Sequence, residues 1–358
     1  MRGCFSPAFR DKVLFETSSV RDLEAETSFD HSPAQTSFLP YRVILITIWY
    51  MDPDRKLSRY TPISLVRSCR LLLLFVWTAC AAANCASTDG SPSVQWQPHA
   101  LTNGSPVLFE IKASARVRAV SGVWMGHSVS FFRSTADRGW YGLAAIPLTT
   151  KAGPYELRIT ETLASGGTVD LARKIRVTNA PYPKITVKVA KKFTEPSPDQ
   201  LTAISADKSL KGKIFETVTT DRLWAGQFVA PVSDPISDIF GTARVFNDQV
   251  QSRHQGLDFA APPGTEVHAI NSGVVILARP MFFEGNCVVI DHGQGLLSLY
   301  LHLSAFTVKE GDQVHTGETV ALSGGTGRAT GPHLHLAIRW QGIYLSPAIL
   351  LKIRMPAN

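Results

Sequence analysis

Cysteine is scarce in this 358-residue sequence: there are five, and only Cys287 lies well clear of the first 85 residues. A disulfide framework is thereby excluded as the support of the fold. Long apolar runs are missing as well; none approaches the roughly 20 residues that a membrane-spanning helix needs. Lys and Arg outnumber Asp and Glu by seven, but the excess is spread along the chain. Without a dense basic run there is no nucleic-acid arm to expect. Charged residues are only 18% and apolar ones 44%, so most of the chain should fold. Its length suits two modest domains plus extras.

The N-terminal stretch has the order of a secretory signal. Arg67 and Arg70 precede the apolar run Leu71 to Trp77, and small residues follow from Ala79 to Ala86. Ala81-Ala82-Ala83 offers a cleavage site, and Met51 would give the signal a normal start. Residues 51–86 therefore read as a signal-peptide region and 1–50 as an unstructured or misassigned leader. The implied location is beyond the cytoplasmic membrane. Cys80 and Cys85 raise lipid attachment, but Trp77 and Asn84 suit neither as a lipidation context. Membrane contact is expected only if lipid is attached.

Residues 92–180 read as an all-β unit. Tyr155 to Thr160 alternates, Val169 to Val177 follows Gly166-Gly167, and these two strands form an expected hairpin. About seven short strands in this length fit an immunoglobulin-like β-sandwich. His127 stands alone there and reads as a packing residue. Residues 181–230 form a connector. Ile185 to Val189 is strand-like, and Ser197-Pro198-Asp199-Gln200 opens a helix with Leu201, Ile204 and Lys208 on one face, ending near Gly212. Trp224 and Phe228 are expected to pack this arm onto the next domain. From 231 to 354 short apolar runs recur between glycine-containing turns, which predicts an antiparallel, β-hairpin-rich domain. Val308 to Val314 is expected to turn and pair with Thr319 to Leu322.

Seven of the ten histidines fall in that last domain. His254 and Asp258 are four apart with Gly256 between them, which discourages a helix, while His333 and His335 share one face of a strand-like run. Rings buried on a strand face need polar partners. Singly, each pair fits an exposed loop or a hydrogen-bonded core. Jointly, a metal site with an open fourth position satisfies them better.

In these positions the sequence resembles the lysostaphin-type (LytM-like) zinc peptidases of bacterial cell walls. Both signatures, His254-x-x-x-Asp258 and His333-x-His335, are present, with Tyr300-Leu301-His302-Leu303 and Thr326 to His335 around them. The resemblance covers about residues 231–340. It implies a duplicated hybrid motif-like domain, Zn2+ held by His254, Asp258 and His335, and catalytic roles for His302 and His333. It further implies peptidoglycan peptides as substrate, a polymer that a mildly basic protein would suit. Since H-E-x-x-H is absent, a histidine must take the proton that a glutamate takes elsewhere. Asn286, after Gly285, is a candidate substrate-binding residue, whereas His268, His292 and His315 read as structural. The competing reading is a non-hydrolytic activator or wall-binding module of the same fold. A lipoyl-type carrier is disfavoured, because no lysine lies between 310 and 351 to sit at a hairpin tip.

Overall fold

The computed structural model describes residues 92–216, 219–246 and 250–357, and strands dominate it. The leader, the signal region and both candidate lipidation cysteines lie outside the described residues.

Two sheets build the first region. One runs Ser93–Gln97, Pro106–Lys112, Trp140–Ala145, Phe132–Arg133; the other runs Leu101–Thr102, Thr168–Thr178, Gly153–Leu163, Val117–Trp124, His127–Ser130. The expected hairpin is there, with Gly153–Leu163 paired antiparallel to Thr168–Thr178. Trp124 of the second sheet meets Phe109 of the first edge-on at 5.4 Å, and its indole donates to the Ala145 carbonyl at 3.2 Å. Edge-on aromatic contact and a paired N–H are what a buried Trp requires. The strand Trp140–Ala145 is buried along its whole length. One reason is that Ile343–Leu345 packs against it from the following region.

Lys184–Val187 of the connector pairs in parallel with Ala243–Phe246. The helix Pro198–Glu216 begins with a reciprocal cap: Ser197 N–H donates to Gln200 Oε1 at 2.9 Å, and Gln200 N–H to Ser197 Oγ at 3.4 Å. Two expectations are corrected here. The packing face is not Leu201, Ile204 and Lys208, since Leu201 is 53% exposed. Leu210, Ile214 and Phe215 pack instead, against Leu277, Met281, Cys287, Val289 and Leu299. Nor does the helix end near Gly212. A glycine costs a helix about 1 kcal/mol, less than the burial of Ile214 and Phe215 returns.

The second β region holds an eight-stranded antiparallel sheet. Its order is Ile236–Asp238, Leu257–Phe259, Leu334–Trp340, Leu296–Leu303, Gly285–Asp291, Gly273–Met281, Gln313–Val314, with Ile343–Leu345 also paired to Leu334–Trp340. A smaller sheet joins Glu266–His268, Thr319–Leu322 and Ala305–Phe306. The pairing expected of Val308 to Val314 is also corrected. Lys309 and Asp312 close a tight turn, after which Gln313 and Val314 join Gly273 and Val274. Thr319–Leu322 takes Ala305–Phe306, the strand before the turn.

A continuous hydrophobic cluster joins both β regions. Trp224 is 2% exposed and meets Phe132 at 5.3 Å on one side and Phe228 at 5.6 Å on the other. His127 lies 5.5 Å from Trp340, so its ring packs, as expected. No helix among the described residues is long and apolar enough to cross a membrane.

Candidate metal centre

Sheet register performs the first step. Asp258 on Leu257–Phe259 stands opposite His335 on Leu334–Trp340, and His335 stands opposite Leu301 on its other side. Directly opposed residues have neighbouring Cβ atoms. His254 enters from the loop ahead of Leu257, its N–H donating to the Thr242 carbonyl and its own carbonyl accepting from Gly241 N–H. Gly256 makes room between them: a Cβ there would lie 2.4 Å from His335 Nε2.

His254 Nε2 lies 3.0 Å from Asp258 Oδ1 and 3.1 Å from His335 Nδ1, and the last two atoms are 2.7 Å apart. All three residues are buried. His254 Nδ1–H donates to the Ile239 carbonyl at 2.8 Å, so its Nε2 turns a lone pair toward a carboxylate and a second imidazole. Three buried, convergent donor atoms repel one another unless a cation joins them. Two imidazoles and one carboxylate are a ligand set that zinc accepts, with the fourth position left over. The residues present fit a metal ion.

The other oxygen of Asp258 is fixed by Arg244, whose Nη2 is 2.5 Å from Asp258 Oδ2 and 2.5 Å from Asp238 Oδ2. Burial would raise the Asp258 pKa, but hydrogen bonds from His254 and His335 outweigh it and hold the carboxyl below the usual range. Burial lowers the His335 pKa, with Asp258 opposing. Asp238 and Arg244 were not visible as site residues in the sequence. They are six apart on either side of a loop, and neither periodicity nor a short motif singles out such a pair.

His302 and His333 stand beside the cluster. Their ring centroids are 4.8 Å apart, His302 is 6.0 Å from His335, and His333 Nε2 is 3.9 Å from Asp258 Oδ1. Each spends Nδ1–H on a backbone carbonyl at 2.8 Å, Thr326 for His302 and Gly331 for His333. That leaves each Nε2 as a proton acceptor. Burial, with His335 and His333 nearby, lowers the His302 pKa to about 3, so its ring stays neutral. His302 has φ 63°, within a strand whose Leu299 and Leu301 already face the cleft. Strict alternation would send His302 to the opposite face. The left-handed backbone re-aims it, at a cost of order 1–2 kcal/mol.

These groups line a cleft of ≈480 Å³ together with Ile185, Val187, Lys211, Phe283, Glu284 and Arg328. Asn286 is not among its lining residues. Its amide donates to the Ser304 carbonyl at 3.4 Å, and its backbone N–H to Thr326 Oγ1 at 2.9 Å. His292 is buried, holding the Ser272 carbonyl and Ser298 Oγ at 2.8 Å each. His268 meets Thr319 and His315 is exposed, and none of these three histidines lines the cleft.

Comparison with known proteins agrees with this geometry. Residues 252–347 match the model of peptidase family M23. Over 103 residues the chain is 45% identical to the peptidoglycan DD-endopeptidase ShyA of Vibrio cholerae, covering 29% of this chain and 23% of that protein. Over 94 residues it is 46% identical to the DD-carboxypeptidase/endopeptidase Mpg of Neisseria meningitidis, covering 26% and 22%. The matched region thus spans under a quarter of those relatives. A solved structure of a putative peptidase M23 from Pseudomonas aeruginosa superposes with a TM-score of 0.53 at 28% identity, over 70% of this chain and 94% of that one.

Proposed function

We propose that this chain, which contains a peptidase family M23 domain, is a zinc-dependent endopeptidase that hydrolyses the peptide cross-links or stems of bacterial peptidoglycan. The observation that carries this reading is the juxtaposition of two sets of groups. Three buried donors from His254, Asp258 and His335 converge, and two further histidines present free Nε2 atoms to the same cleft.

His254 Nε2, Asp258 Oδ1 and His335 Nδ1 would hold the metal. A zinc ion supplies Lewis acidity there, lowering the pKa of water toward about 7 and polarising a carbonyl. The rest of the work falls to the chain. His302 and His333 share the two proton tasks: one Nε2 takes the proton of the attacking water, and the other donates to the oxyanion or the leaving amine. The Thr326 and Gly331 carbonyls fix both tautomers before substrate arrives. Arg244 holds the far oxygen of Asp258 and so orients the near one, as outer partners of metal ligands do.

The other assignments belong to the same reading. Residues 92–180 form an immunoglobulin-like positioning module, 181–230 a connector and 231–354 the peptidase domain; two sheets packed through Trp124 and Phe109 support the first of these. The enzyme is exported to the cell envelope, for which the signal-like order of residues 51–86 is the support. Purified, zinc-loaded protein incubated with peptidoglycan should release new amino termini. If it produces none from any wall type, the non-hydrolytic activator reading replaces this one.

A further inference from the structure

The cleft holds three cationic side chains, and they are used differently. Arg244 is tied to Asp238 and Asp258. Lys211 is tied to Glu284. Arg328 lies with its guanidinium carbon 4.7 Å from the centre of the Phe283 ring. Its backbone N–H donates to the Phe283 carbonyl at 2.8 Å, and Gly327 beside it (φ 72°) packs so closely that a Cβ would lie 2.2 Å from Gly285 N. The same loop supplies the Thr326 carbonyl that orients His302 and the Gly331 carbonyl that orients His333. Arg328 is therefore in fixed register with the histidines that face the reacting bond.

We infer that Arg328 receives a carboxylate of the substrate peptide, so that the cleft selects peptides with a free carboxylate near the scissile bond. The inference rests on the endopeptidase reading above. A ring contact engages the guanidinium's face, and the N–H donors around its edge match a planar carboxylate in a two-point contact. Holding this cation in the cleft has a desolvation cost, seen in a pKa lowered by burial. An anionic group on the substrate offsets that cost. In a peptide that anion is either a terminal carboxylate or one on the residue flanking the bond.

The test uses the zinc-loaded full chain and three forms of one cross-linked peptide: the free acid, an analogue amidated at its termini, and one amidated at the carboxylate flanking the scissile amide. For wild type, kcat/KM should fall roughly 10–100-fold on one amidated form, and that form identifies the carboxylate. Arg328→Met should lose the same factor on the free acid and nothing more on that amide. Arg328→Lys should recover part of the loss. Calorimetric binding of the same peptides to metal-free protein should show the same order. Equal wild-type rates on all three peptides, or an equal loss on all three in Arg328→Met, would overturn the inference. If wild type cleaves none, the endopeptidase reading falls; acid-over-amide binding that depends on Arg328 would still support the carboxylate site, and binding without that preference would overturn it.

Discussion

The two β regions of this molecule are built from similar strands and treat polar side chains in opposite ways. In the first region charge faces water: Thr168–Thr178 buries little besides Ile175 and Val177, and the pair Arg158–Glu156 is largely exposed. In the second, His254, Asp258, His302 and His335 are all buried within a few ångströms of one another. Strands in the first region satisfy their polar groups with solvent. Those in the second bury ionisable groups that would each cost several kcal/mol unpaired. Function is where a β sheet departs from its own economical pattern.

Mutations can break that contrast, the largest effect first. His335→Ala should abolish both metal binding and hydrolysis, read by zinc content and by release of amino termini. Wild-type zinc content in this variant would remove His335 from the ligand set. His302→Ala should keep its zinc and lose roughly 10²–10⁴-fold in turnover, because it removes a proton acceptor and no ligand. Arg244→Met should weaken metal affinity by about 10–100-fold, since Asp258 would lose the contact that orients it. A chelator titration reads this, and unchanged affinity would show that Asp258 needs no such hold.

A fourth prediction concerns a histidine buried outside the cleft. Burial lowers the His292 pKa to about 4, against an ordinary value of 6.5. Its folded form thus binds a proton less readily than its unfolded form. Stability should be full above about 6.5 and fall as pH drops toward 4, with the unfolded chain taking up the proton. His292→Gln should flatten that slope in urea denaturation measured across the interval. An unchanged slope would assign the pH dependence to the cleft histidines. Least affected should be Arg158→Ala in the first region. An exposed pair there contributes well under 1 kcal/mol, so melting and hydrolysis should both stay near wild type.

Much of the second region was legible beforehand because its signals are local. His254 and Asp258 are four apart, and His333 and His335 two apart, on elements whose period fixes where side chains point. The capping box at Ser197 was equally local, and it formed. What failed was everything that depended on which surface a segment would meet. Leu201 was assigned to the packing face of the connector helix, yet the apolar cluster under that helix lies beside Leu210, Ile214 and Phe215. Asn286 was placed in the site by its neighbour Gly285, yet its amide faces Ser304. The partner of Gln313 and Val314 was misjudged because the turn at Lys309–Asp312 carries the chain away from the nearest strand in sequence.

By itself, the sequence determined the ligand types, their spacing on loop and strand, and the β character of both regions. All of these follow from short-range periodicity and side-chain chemistry. Only the tertiary structure brought Arg244 and Asp238 behind Asp258, and set Arg328 on the loop that orients both histidines. It also turned His302 into the cleft through a left-handed residue that alternation alone would have sent to the other face. Such contacts join residues far apart or break the local period, and no local pattern encodes them.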